Sequence, residues 1–100
     1  MGIEAEEARK LHDKIIVLTS ENCPSCRVLE KKIEKSEERG RYLILPVEES
    51  EDAKMLAKAF DIRSVPTLLY AKVEDGKLYI CKIGDDGKAE ECMEADIVGD

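Results

Sequence analysis

The sequence contains no hydrophobic stretch of about 18 residues, no long run of basic residues, and no internal repeat or linker. We therefore expect no transmembrane helix, because a helix that crosses a bilayer needs such a stretch. Acidic residues outnumber basic ones by 23 to 16, and the formal net charge of −7 disfavours nucleic acid or an anionic membrane surface as the main partner. Residues 1–14 are polar and lack the apolar core of a signal peptide, so we expect a cytoplasmic protein.

Tryptophan is absent, and the 100 residues include one phenylalanine and four cysteines. This length suits a single domain spanning residues 1–100, and the hydrophobic fraction of 43% is sufficient for one core. In a reducing compartment, four cysteines are more typical of redox or metal-binding groups than of a structural disulfide framework. The positions of the cysteines therefore decide which classes of function need to be considered.

The most informative feature is the motif Cys23-Pro24-Ser25-Cys26, which places two thiols one helical turn apart. Before the motif, the apolar run Ile15-Ile16-Val17-Leu18 within residues 14–19 predicts a strand buried on both faces. After it, residues 24–38 predict a helix, and a proline in the first turn costs no hydrogen bond. The motif thus opens a helix, where backbone N–H groups and the helix dipole stabilise a thiolate.

The rest of the chain predicts three more strands and three more helices. Asp75-Gly76 predicts a hairpin turn, and Ser50 predicts the N-cap of an amphipathic helix ending near Phe60. The remaining predicted elements are a helix over 4–13, strands over 41–47, 67–73 and 78–83, and a short final helix over 89–97. The order αβαβαββα predicts an α/β fold with a four-stranded mixed sheet, in which parallel strands and one antiparallel hairpin are flanked by helices.

The segment Asp61-Ile62-Arg63-Ser64-Val65-Pro66-Thr67-Leu68-Leu69 is particularly similar to thioredoxins, and so is the order of the elements around it. The chain therefore resembles the thioredoxin-like superfamily over nearly its whole length, as a small thioredoxin- or glutaredoxin-like protein. The resemblance implies a thioredoxin-like fold in which a cis-proline loop, Val65-Pro66, faces the cysteine pair. The alternative for Pro66 is an ordinary trans proline that opens an edge strand.

The resemblance further implies a thiol–disulfide oxidoreductase that acts on protein disulfides. Cys23 is the expected nucleophile, which forms a mixed disulfide, and Cys26 is the thiol that resolves it. The residues expected to contact substrate are Pro24, Ser25, Val65 and Pro66. We expect no cofactor besides the redox-active Cys23–Cys26 disulfide, no metal, an unidentified reductase as electron donor, and a monomer.

Two positions depart from the thioredoxin pattern. Asn22 stands just before the first cysteine, where thioredoxins usually have tryptophan. Val17 stands six residues before that cysteine, where they carry a buried acid. The usual proton acceptor for the buried thiol is therefore missing, and Glu21 or water is the available substitute.

Other interpretations of the cysteines stay open at this point. A CxxC motif is also half of a zinc site, and the domain could be a binding module whose cysteine pair is not turned over. Cys81 and Cys92 are expected to be two free, half-buried thiols. The short loop between them also permits a disulfide. A zinc site made of all four cysteines would need both pairs at one end of the sheet.

Overall fold

The computed structural model describes residues 2–84 and 86–98, which form one mixed sheet with helices packed on it. In this part of the chain the strands are β1 (Gly2–Glu4), β2 (Lys14–Thr19), β3 (Tyr42–Pro46), β4 (Thr67–Glu74), β5 (Lys77–Ile83) and β6 (Ala89–Val98). The helices are α1 (Ala5–Leu11), α2 (Pro24–Glu34) and α3 (Glu51–Ala59), with a 3-10 turn at Arg39–Arg41. No helix in these residues is long and apolar enough to cross a membrane.

The six strands are ordered β1-β6-β5-β4-β2-β3 in one sheet. β2 pairs with β3 in parallel and with β4 in antiparallel, so that Val17 lies between Ile44 and Leu68. The β4–β5 and β5–β6 pairs are antiparallel, and β1 is parallel to β6 at the far edge. The predicted parallel pair, β2 with β3, and the predicted antiparallel hairpin, β4 with β5, are confirmed. The prediction that the hairpin is the one antiparallel pairing was wrong, because β4 is also antiparallel to β2. The prediction of four strands was wrong as well, because β1 and β6 extend the sheet.

Residues 89–97 form part of strand β6, and the prediction of a final helix there was wrong. Met93, Ala95 and Ile97 are half-buried and alternate with exposed residues. That period of two is the pattern of a strand with one face against the core. β6 in turn provides the edge on which β1 pairs, with Ile3 opposite Ile97.

Strand β2 is the centre of the core, as its apolar run predicts. Residues 16–19 are all at most 1% exposed. Ile16 and Leu18 belong to the buried cluster that also contains Phe60 and the α3 residues Ala53 and Leu56. Val17 points to the opposite face of the sheet, because successive side chains of a strand alternate. Burying each such aliphatic side chain stabilises the fold by about 1.5–3 kcal/mol relative to leaving it exposed.

The predicted N-cap of α3 and the predicted hairpin turn are confirmed, whereas α2 ends at Glu34 and not at residue 38. The backbone N–H of Ala53 donates to Ser50 Oγ at 3.1 Å, so Ser50 is the N-cap of α3. Asp75 and Gly76 have φ angles of 53° and 76°, the left-handed conformation that a tight hairpin turn requires at both central residues. These contacts fix where α3 starts and how β4 turns into β5.

Candidate redox site

The cysteine motif lies where β2 ends and α2 begins. Cys23 is the N-cap of α2 with φ −134° and ψ 95°, and Pro24 is the first helical residue. Cys23 and Cys26 are joined by a disulfide, and their Cα atoms are 5.2 Å apart. Cys23 is 8% exposed, whereas Cys26 is 0% exposed. Both residues are buried, and Cys23 is the more exposed of the two.

The start of α2 surrounds the Cys23 sulfur with hydrogen-bonding groups. The backbone N–H of Cys26 donates to Cys23 Sγ across 3.1 Å. The hydroxyl of Ser25 lies 3.4 Å from the same sulfur. When the disulfide is reduced, these groups and the positive end of the helix dipole favour the thiolate of Cys23 over its thiol. Ser25 and Pro24 are themselves exposed on the surface around the sulfur.

The loop before β4 lies against Cys23. The Val65–Pro66 peptide bond is cis, and the carbonyl oxygen of Val65 is 3.6 Å from Cys23 Sγ. The hydroxyl of Thr67 donates to the carbonyl of Ser64 at 2.7 Å, which ties the two ends of the loop together. The structure therefore brings together all the residues that the sequence singled out as site residues, although they come from two segments of the chain.

A polar network holds the loop that leads into Cys23. The carboxylate of Glu48 accepts hydrogen bonds from Ser20 Oγ and, at 3.2 Å, from the backbone N–H of Glu21. These hydrogen bonds, that from Ser20 first, lower the pKa of Glu48 below its usual value of 4.5. The guanidinium of Arg27 donates to the carbonyl oxygens of Ser20 and Glu21 at 2.9 and 3.3 Å.

The sequence alone does not indicate this network. Ser20 and Glu48 are 28 residues apart, and they meet because β3 runs parallel to β2 and ends beside it. No local sequence pattern predicts such a contact, because the contact depends on which strands are neighbours in the sheet.

Val17 stands where thioredoxins carry a buried acid, and no buried acid takes its place among the described residues. Val17 is 0% exposed, and the buried polar side chains in this part of the chain are the threonines Thr19 and Thr67. Glu21 is exposed, and its backbone rather than its carboxylate is engaged, through Glu48. The proton of the Cys26 thiol therefore has no buried carboxylate to accept it within residues 2–84 and 86–98.

Cys81 and Cys92 form a second disulfide, so the expectation of two free thiols was wrong. They are directly opposite each other in the β5–β6 ladder, and their Cα atoms are 4.0 Å apart. Cys81 also lies opposite Tyr70, which is three residues along β4 from Thr67. This register places the second pair away from the end of the sheet where Cys23 lies. A zinc site made of all four cysteines would need both pairs at one end of the sheet, and the structure does not place them so.

A family model of the thioredoxin-like domain matches residues 3–85. A comparison with solved structures matches this chain to the crystal structure of the oxidised C-terminal domain of DsbD from Neisseria meningitidis. It has 13% sequence identity and a TM-score of 0.46, and the match covers 93% of this chain and 73% of that one. The comparison with curated protein sequences found no match. With a cysteine pair at the start of α2 and a match over most of its length, the chain belongs to the thioredoxin-like domain family.

Proposed function

We propose that this protein is a thiol–disulfide oxidoreductase that exchanges electrons with protein disulfides through Cys23 and Cys26. The observation that carries the proposal is the asymmetry of the pair. Cys23 is the more exposed residue of the pair and its sulfur accepts the N–H of Cys26 at 3.1 Å, while Cys26 is fully buried. An accessible, stabilised thiolate beside a protected second thiol is the arrangement that stepwise exchange needs.

In the reducing direction, the Cys23 thiolate attacks one sulfur of the substrate disulfide. A mixed disulfide forms, the substrate S–S bond breaks, and the other substrate sulfur leaves as a thiolate. Cys26 then loses its proton and attacks Cys23 Sγ, which releases the second substrate thiolate and restores the Cys23–Cys26 disulfide. The substrate gains two electrons and the protein pair loses two. A separate dithiol reductase, which we propose as the electron donor, returns the protein to its reduced form.

The carbonyl of Val65 supports a position for the substrate. It lies 3.6 Å from Cys23 Sγ, so a peptide held in the mixed disulfide passes directly beside it. A backbone N–H of an extended peptide can donate to this oxygen, which adds affinity without demanding a particular side chain. We propose that Val65 and Pro66 line the substrate path on one side, and that Pro24 and Ser25 line it on the other.

Deprotonation of the Cys26 thiol is the step of this cycle that no buried carboxylate assists. Since Val17 replaces the acid that thioredoxins carry, we propose that water or the departing substrate thiolate accepts this proton. Resolution of the mixed disulfide is then expected to be slower than its formation, because no positioned base assists it. The second step is therefore where the cycle should accumulate its intermediate.

The test is reduction of insulin by dithiothreitol with catalytic amounts of protein. We expect wild type to accelerate the reaction and Cys23→Ser to return it to the rate of dithiothreitol alone. Cys26→Ser should instead accumulate a mixed disulfide, which mass spectrometry detects. The matched control is Cys81→Ser/Cys92→Ser, which should keep the wild-type rate because this pair lies away from Cys23.

Two outcomes would contradict the proposal. If folded wild type gives no acceleration, the cysteine pair is not turned over on protein disulfides, and a binding or metal-holding module becomes the better reading. If Cys23→Ser and Cys26→Ser retain equal activity, the assignment of nucleophile and resolving thiol is wrong.

A further inference from the structure

We propose that Cys81–Cys92 is a second dithiol/disulfide exchange site, open to a dithiol partner from solvent and independent of Cys23 and Cys26. Together the two pairs would let one chain carry four electrons. The proposal rests on the position of the second pair in the sheet, the exposure of Cys92, and the pairing that already joins β5 to β6.

The second disulfide lies on the face of the sheet that points away from the α3 core. Leu78 of β5 is 2% exposed and belongs to the core cluster. Because side chains alternate along a strand, Cys81 points to the opposite face, as does its neighbour Tyr70 on β4. Cys92 is exposed at this face and Cys81 is half-buried. A thiolate in solution can therefore approach the sulfur of Cys92.

Backbone pairing holds β5 and β6 together on both sides of the Cys81–Cys92 link. The β5–β6 ladder continues on both sides of the pair, from Lys77 opposite Asp96 to Lys82 opposite Glu91. The disulfide has a sequence separation of 11. Closing a loop of this length stabilises the fold by less than the total stability of a domain of this size, so the folded state can survive reduction of the bond. Breaking the bond should leave the strands paired, which a reversible redox site requires.

Electrons cannot pass directly from Cys23 or Cys26 of the same chain. Exchange requires one sulfur to contact the other. Cys23 Sγ lies beside Val65, before β4 begins, whereas Cys81 is opposite Tyr70. The three steps from Thr67 to Tyr70 alone span about 10 Å along an extended strand. The reductant of the second pair is therefore a separate molecule.

The step balances with a dithiol as reductant. One thiolate of the dithiol attacks Cys92 Sγ, the Cys81–Cys92 bond breaks, and Cys81 leaves as a thiolate that takes up a proton. The second thiol of the reductant loses its proton and attacks the mixed disulfide, which releases Cys92. The reductant becomes a disulfide and loses two electrons, and the pair gains two. Attack at Cys92 is preferred over attack at Cys81 because Cys92 is the more exposed sulfur.

The first test measures how fast the second disulfide is reduced in folded protein. The protein is oxidised Cys23→Ser/Cys26→Ser, the reductant is dithiothreitol, and alkylation followed by mass spectrometry counts the thiols. The same reaction in denaturant gives the rate at which dithiothreitol reduces a fully accessible disulfide. A disulfide that opens only after global unfolding would be slowed by the unfolding equilibrium, by at least about 10³-fold. We expect the native rate to lie within about a hundredfold of the denatured rate.

Reversibility is the second requirement. After removal of dithiothreitol, oxidised dithiothreitol should restore the Cys81–Cys92 bond, with the circular dichroism spectrum unchanged throughout. A native rate more than about a hundredfold below the denatured rate would overturn the proposal and make this a structural disulfide. Loss of the folded spectrum on reduction would overturn it too. Should the serine variant fail to fold, peptide mapping of wild type follows each pair separately and gives the same two readings.

The direction of attack has its own test. In Cys81→Ser the remaining thiol is Cys92, and in Cys92→Ser it is Cys81, both made in the Cys23→Ser/Cys26→Ser background. Iodoacetamide should modify Cys92 at least about fivefold faster than Cys81, because thiol reactivity follows exposure. Equal rates, or faster modification of Cys81, would overturn the assignment of Cys92 as the attacked sulfur.

Discussion

Removing the second disulfide should weaken the fold without abolishing it. In the chain-entropy description, a cross-link with the separation of 11 seen for Cys81 and Cys92 contributes about 2.8 kcal/mol at 25 °C. The same relation assigns about 1.6 kcal/mol to Cys23–Cys26, whose separation is 3. A domain of this size is stable by about 5–15 kcal/mol, so either loss leaves a folded protein.

The assay is urea denaturation of three proteins: oxidised wild type, Cys81→Ser/Cys92→Ser, and Cys23→Ser/Cys26→Ser as the matched control. With a denaturant slope of about 1–3 kcal/mol/M, loss of the second pair should lower the midpoint by about 1–3 M. Loss of the first pair should lower it by roughly half as much. The slope itself should change little, because the same surface is buried in the native state.

The reasoning is refuted if Cys81→Ser/Cys92→Ser is unfolded in the absence of urea. It is also refuted if that variant loses more than about 5 kcal/mol, the upper end of what a native disulfide contributes. Either result would mean that the bond, and not the β5–β6 ladder, holds β6 in place. The pair could not then open and close in a folded protein.

Three further predictions concern single positions. In Val17→Asp, burial should raise the pKa of the new carboxyl above its value in the unfolded chain. The variant should therefore lose about 1.4 kcal/mol of stability, relative to Val17→Asn, for each pH unit above about 4. Parallel pH profiles of the two variants would contradict this. Glu48→Gln should lose a stabilisation that wild type has above pH 4.5 and loses as pH falls through the lowered pKa of Glu48, so the two unfolding curves should converge in acid. A constant gap would exclude the carboxylate as its source. Ser50→Ala should cost about 1 kcal/mol in thermal unfolding through loss of the α3 cap, whereas Ser50→Asp should not.

Local sequence patterns were sufficient to predict an element wherever the physical cause of that element lies within a few residues. The apolar run 15–18 predicts a strand buried on both faces, and the cysteine motif after it predicts a helix start with Cys23 at the N-terminus. The Asp75-Gly76 turn and the Ser50 cap follow in the same way from backbone conformation and one hydrogen bond. The thioredoxin-like fold came from the resemblance of segment 61–69 together with this order of elements.

Residues 89–97 show where local patterns were ambiguous. Met93 and Ile97 are four residues apart, as on one face of a helix, yet Ala95 between them gives the alternation of a strand. The choice between the two depends on whether an unpaired strand edge is available. β5 provides that edge, and β6 pairs with it.

What the sequence by itself determined is therefore the position of two cysteines at a helix start, from which Cys23 is predicted to be the nucleophile. Only the tertiary structure decided which distant groups meet. The β2–β4 register brings Val65 to Cys23, the β2–β3 pairing brings Glu48 to Ser20, and the β5–β6 register joins Cys81 to Cys92. The physical reason is that strand pairing satisfies backbone hydrogen bonds that are the same for every residue. The choice of partner and register is made by the packing of the whole sheet.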